Sequence, residues 1–224
     1  MDEIEYKIYI DEVLRRIESA RLKVSEHHIV KVVAISKYST SDEIKKLYNI
    51  GQRAFGENKV QDLRDKAKEL DELPLEWHFV GNLQKNKINN LLDIKPSLFH
   101  SLDSIELAQE LQKKLVAKDM HLNALLQINS AKEDSKHGVM PEVAKEIYMQ
   151  IKQECPNINL KGVMSIGAHS DDVDAVKKSF EITHDIYSSL DGATICSMGM
   201  SGDFELAIEC GSNMVRLGSI MFNK

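Results

Sequence analysis

The rhythm of apolar and polar positions changes repeatedly along this chain. Ile4, Ile8, Val13, Leu14, Ile17 and Leu22 recur near the helical period among charged residues, which predicts an amphipathic helix over residues 4–26. From Val32 onward, short apolar runs alternate with helical patterns. Strands are predicted to start near Val32, Arg53, Trp77, Leu98, Asn123, Lys161, Thr194 and Met214. Helical stretches are predicted over 42–50, 58–70, 84–92, 104–117, 140–153, 172–190 and 203–210. The run from Val32 to Ser36 is too short and too β-branched for a helix and reads as a buried parallel strand. Eight strands in 224 residues give 224/8, or 28 residues per unit, close to the ~31 of a (β/α)8 barrel. Alternation at this period implies parallel strands joined by right-handed crossovers. The expected fold is therefore α/β, a (β/α)8 TIM barrel with an extra N-terminal helix; a doubly wound open sheet is the competing topology. No low-complexity stretch or Pro/Gly-rich linker interrupts the pattern, so residues 1–224 read as one domain.

A barrel of this kind carries its chemistry at the C-terminal ends of the strands. Lys37 ends the first run, and Tyr38 to Glu43 follow as a helix-start signal. A lysine there is expected to be half desolvated, and desolvation makes an amine a nucleophile for carbonyls. The competing reading is a lysine that merely snorkels from a strand end. In the segment Ser197 to Asp203, Gly199 and Gly202 permit a tight turn, and Ser201 is a good N-cap for a helix starting at Asp203. Free amides, the hydroxyl and the helix dipole together would make an anion site, though plain capping would look the same. Gly218-Ser219 follows the eighth strand, and the loops after strands seven and eight are where such barrels often hold phosphate. Arg216 stands in an otherwise apolar strand, as an interior ion pair or as a donor aimed at a ligand. Lysine, phosphate loops and a buried arginine suggest a phosphorylated aldehyde. Pyridoxal 5′-phosphate (PLP) fits, and a sugar-phosphate aldolase would use similar parts.

Bulk composition narrows the partners. A net charge of −6 argues against nucleic acid or an anionic membrane as the main partner. No run approaches the ~18 apolar residues of a membrane span. The opening residues Met1 to Lys7 are acidic and polar, without a secretory core, and the cytoplasm is the expected location. Cys155, Cys196 and Cys210 lack metal-ligand spacing and read as reduced thiols, so no metal is expected.

Five segments then carry a resemblance. They are Ala34 to Lys37, Phe55 to Gln61 (FGENKVQ), Trp77 to Lys87 (WHFVGNLQKNK), Ser197 to Phe204 (SMGMSGDF) and Val215 to Ser219 (VRLGS). Together they resemble the pyridoxal phosphate homeostasis proteins across nearly the whole chain. The resemblance implies a barrel like the N-terminal domain of alanine racemase, without that enzyme's second domain. It implies that Lys37 carries PLP as an internal aldimine and that Arg216 faces the pyridine nitrogen. Ser201, Gly218 and Ser219 would hold the phosphate, with Asn58 and His78 near the ring; His78 is equally well read as a core histidine. Two places depart from the family pattern: the ending Met221-Phe222-Asn223-Lys224, and the loop Asn129 to Gly138, which matches only through Ser135-Lys136-x-Gly138.

Two functions remain at this point. One is a protein that holds PLP reversibly and takes part in its supply, with PLP-dependent apoenzymes as recipients. The other is a small PLP-dependent amino-acid racemase. Racemisation needs bases on both faces of the substrate carbon. In the alanine racemase family the second is a tyrosine from the domain this chain lacks, and only Tyr38 of the six tyrosines sits at a strand end. The carrier reading is favoured, with no catalytic residue assigned. A monomer is expected, because the helical stretches keep polar outer faces.

Overall fold

A computed structural model describes residues 3–133 and 136–222. Ser135 of the loop pattern and Asn223-Lys224 of the divergent ending lie outside the described residues. The eight strands are β1 (Lys31–Ile35), β2 (Ala54–Glu57), β3 (Glu76–Phe79), β4 (Leu98–Leu102), β5 (Leu122–Ile128), β6 (Ile158–Ser165), β7 (Ile195–Ser197) and β8 (Met214–Leu217). All neighbours pair in parallel, and β1 pairs with β8 as well as β2, closing the barrel. The open-sheet alternative is thereby excluded. The register Lys31↔Met214, Val32↔Val215, Val33↔Arg216 sets Arg216 on the strand beside the one that leads into Lys37.

Side-chain alternation divides each strand between two cores. Val33, Ala54, Leu98, Leu125, Met164 and Met214 fill the barrel interior. Ala34, Phe55, Phe79, Leu126, Val215 and Leu217 face outward into the larger core beneath the helices. Those helices are α1 (Glu3–Val24), α2 (Ser41–Asn49), α3 (Val60–Glu69), α4 (Ile88–Ile94), α5 (Ile105–Lys118), α6 (Ala144–Glu154), α7 (Val173–Ser188), α8 (Phe204–Glu209) and α9 (Ser219–Phe222). Helix α2 begins in a full capping box: the Glu43 amide donates to Thr40 Oγ1, and the Thr40 amide donates to Glu43 Oε2.

Three features differ from the sequence pattern. Helices α4 and α6 are each preceded by a 3-10 turn, at Lys85–Lys87 and Pro141–Val143, so the helical pattern starts before the α-helix does. The four-residue α9 leaves no readable period. The buried face of α1 is Ile10, Val13, Ile17 and Ala20, while Ile4, Ile8, Leu14 and Leu22 are exposed. This helix packs one narrow face on α8 and α9, with Arg16 bridging bidentately to Glu205 and Tyr6 Oη donating to the Met221 carbonyl. Among the described residues, no helix is long and apolar enough to cross a membrane.

Candidate functional site

A cleft of about 600 Å³ opens at the C-terminal ends of the strands. That volume suits a small cofactor. Its floor is apolar, from Ile35, Val80 and Met164, and its rim carries Tyr38, Ile166 and Met200. All six expected site residues line it: Lys37, Asn58, Ser201, Arg216, Gly218 and Ser219.

Lys37 stands two residues beyond the end of β1 and lines the cleft at the barrel mouth. It is exposed rather than half buried, because the turn at residues 37–38 lifts it clear of the strand. Its Nζ lies 5.0 Å from the centroid of the Tyr38 ring. The residue before it is tightly held. Ser36 Oγ donates to Glu57 Oε1 over 2.6 Å, and Lys66 Nζ donates both to that oxygen, over 2.6 Å, and to the Ser36 carbonyl, over 2.7 Å. Glu57 is fully buried. No local pattern announces this clamp, since it joins the outward face of β2 to α3.

Asn58 is fixed by close packing. A Cβ on Gly81 would lie 1.9 Å from the Asn58 carbonyl oxygen, so the β3 end can approach the β2–α3 loop only as glycine.

Arg216 is 5 % exposed and lies on the interior face of β8. The expected carboxylate partner is not what holds it. Nη1 donates to the Ser197 carbonyl and Oγ over 3.0 and 2.8 Å, and Nη2 donates to the Ser165 carbonyl over 2.9 Å. Burial pushes its pKa down to about 10, opposed by attraction to Asp203, so it stays charged at neutral pH.

Ser201 does not cap α8, which starts at Phe204 with Asp203 in the cap position. The turn takes up residues 201–203 first, and the Met200 amide donates to Asp203 Oδ1 over 2.6 Å. Instead Ser201 Oγ accepts from the Gly218 and Ile220 amides over 3.1 and 3.5 Å, drawing the two glycine-serine loops together. Gly199 needs its freedom, with φ at +91° and a Cβ that would sit 2.7 Å from that of Ala207. Gly202 and Gly218 have ordinary φ and room for a Cβ.

His78 is 2 % exposed and does not line the cleft. It points into the barrel, where Nδ1 lies 2.8 Å from Nε2 of His100. In the 129–138 loop, Asn129 Nδ2 donates to the Glu133 and Lys136 carbonyls, while Lys136 Nζ donates to the Gly167 carbonyl over 2.6 Å.

Comparison with known proteins now fits onto this geometry. The family model "Alanine racemase, N-terminal domain" matches residues 8–224. The pyridoxal phosphate homeostasis protein of Helicobacter pylori is 52% identical over 221 residues, covering 99% of this chain and 100% of that one. The chain belongs to the pyridoxal phosphate homeostasis family. Among solved structures, a protein of unknown function from Bifidobacterium adolescentis superposes with a TM-score of 0.92 at 30% identity, covering 99% of this chain and 97% of that one. PipY of Synechococcus elongatus, solved with PLP bound, has a TM-score of 0.80 at 29% identity, covering 93% and 98%. In this member of the homeostasis family, the unusual segments of the sequence converge on one cleft.

Proposed function

We propose that this chain binds PLP in the cleft and acts in its intracellular homeostasis as a carrier rather than as an enzyme. The observation that carries the reading is the convergence of Lys37, Arg216, residues 200–202 and residues 218–219 on one cavity. The residues fit the group. The Gly218 and Ile220 amides donate to Ser201 Oγ and so leave its own hydrogen free, and the Ser201 and Ser219 hydroxyls together form a donor corner suited to a phosphate dianion. Arg216, which only donates, suits an unprotonated ring nitrogen. The apolar floor of Ile35, Val80 and Met164 suits a flat ring, and Asn58 borders it. When bound, the cofactor supplies an aldehyde that condenses with the Lys37 amine, with loss of water. An exposed Lys37 is accessible to an incoming cofactor and to competing amines, which agrees with transfer to PLP-dependent apoenzymes. The relatives' names as homeostasis proteins, and PipY with PLP bound, support the same reading.

The test is to incubate the protein with PLP, reduce with borohydride and map the modified peptide. The adduct is expected on the Lys37 peptide at full stoichiometry and absent from Lys37→Ala. Pyridoxal without its phosphate should bind far more weakly, and Ser201→Ala should weaken PLP binding by roughly 1–2 kcal/mol. A full adduct in Lys37→Ala, or equal affinity for both vitamers, would overturn the assignment.

A further inference from the structure

Barrel interiors of this class are usually filled with branched apolar side chains. Here a file of polar side chains runs down the axis from Arg216 to the opposite rim. Arg216 Nη1 donates to Ser197 Oγ over 2.8 Å. Ser197 Oγ lies 3.5 Å from His100 Nδ1, and His100 Nε2 lies 2.8 Å from His78 Nδ1. His78 Nε2 is buried, with no hydrogen-bond partner among the described residues, and lies 3.9 Å from Glu76 Oε2. Glu76 in turn is ion-paired with Lys31.

The two ends set the direction of the file. A guanidinium only donates, and an ionised carboxylate only accepts. Ser197 Oγ accepts from Arg216, so its own hydrogen is free for His100 Nδ1. His100 then carries its hydrogen on Nε2 and gives it to His78 Nδ1. His78 is left with a hydrogen on Nε2, aimed at the Glu76 carboxylate. The reverse order would set a ring lone pair against that carboxylate. Burial keeps both rings neutral, with His78 pushed down to about 4 and His100 well below its ordinary value. Only a neutral imidazole can accept on one nitrogen and donate on the other.

We propose that His100 and His78 are positioning residues for Arg216, in a one-way chain Arg216–Ser197–His100–His78–Glu76. The chain fixes the guanidinium plane at the cleft and ties it to the Lys31–Glu76 pair on the far rim. It deepens the PLP-binding reading, on which the role of Arg216 rests.

Two measurements test it. In the protein without PLP, nitrogen-15 spectra of the imidazoles should show both histidines protonated on Nε2. Protonation of either on Nδ1 would overturn the chain. In the PLP-loaded protein, His100→Leu should shift the visible absorption of the bound cofactor and speed its dissociation roughly tenfold. His100→Asn, which restores an acceptor, should recover part of both. Ser197→Ala keeps the backbone carbonyl bond to Arg216 and should act like His100→Leu, which covers a folding failure in the histidine variants. Unchanged absorption and dissociation within about twofold in the Leu and Ala variants, even with reduced thermal stability, would mean the file is packing alone. A wild type that forms no borohydride-fixed adduct would sink the PLP reading instead, and leave the nitrogen spectra to judge the chain.

Discussion

Next to Lys37 in the chain, Ser36 is held by a buried carboxylate. Glu57 is fully buried and takes hydrogen bonds at Oε1 from Ser36 and Lys66, while Oε2 has no partner among the described residues. Burying a carboxylate is unfavourable unless it is paired, and the gain from pairing seldom exceeds the desolvation penalty by much. The pair therefore contributes more to geometry than to stability: it grips both the hydroxyl and the carbonyl of the residue that leads into Lys37. Lys66→Met should destabilise the protein by about 3–5 kcal/mol in denaturant unfolding, because Glu57 is left as an unpaired buried charge. Adding Glu57→Gln should recover a large part of that loss, since the two sites share one interaction. A single variant within about 1 kcal/mol of wild type would show that water already reaches Glu57.

The strands and helices were largely legible from the chain, because period-two and period-3.6 patterns report which side faces which core. Lys37 ends an apolar run, and that alone places the lysine at the barrel mouth. Arg216 was legible as the one charge in an apolar strand. What the sequence hid are contacts between elements. The Ser36–Glu57–Lys66 clamp joins a strand to the helix beside it, and the His78–His100 pair joins the neighbouring strands β3 and β4 inside the barrel. Ser201 was misread because a hydroxyl before a helix looks like a cap, whereas its partners sit in the next strand-to-helix loop, at Gly218 and Ile220. Gly81 was passed over because a glycine's need for space is invisible without its neighbour. The Asn58 backbone oxygen is that neighbour, at 1.9 Å from a built Cβ, and a carbonyl cannot swing aside as a side chain can. Gly81→Ala should therefore force the β2–α3 loop outward, costing roughly 1–3 kcal/mol of stability. It should also weaken PLP retention, because Asn58 moves with the loop. Retention unchanged beside a loss of stability would remove Asn58 from the binding surface.

The closed barrel gathers the cleft residues on one rim and leaves that rim open to solvent. Tyr38 is 80% exposed, and Ile166 and Met200 on the rim are also exposed. Proton transfer on both faces of a substrate carbon would require a second base opposite Lys37. The tyrosines do not supply one. Tyr6 and Tyr148 hydroxyls donate to backbone carbonyls, of Met221 and Leu160, and only Tyr38 lines the cleft. Tyr38 adjoins Lys37 on the same turn, with its ring 5.0 Å from the amine, and so shares its side of the cavity. Arg216 adds a second handicap. In the proposed binding mode its guanidinium would keep the ring nitrogen unprotonated, which would weaken the ring as a sink for carbanion electrons. An uncovered cleft also admits water that a carbanion would have to be kept from. Handing over a cofactor tolerates all three conditions, and racemisation tolerates them poorly. The PLP-loaded protein, incubated with L-alanine in deuterated water, should show no inversion of configuration and Cα–H exchange far below ~1 s⁻¹. Tyr38→Phe should leave that background unchanged. Turnover at ordinary enzyme rates that Tyr38→Phe abolishes would make this tyrosine a catalytic residue and overturn the carrier reading.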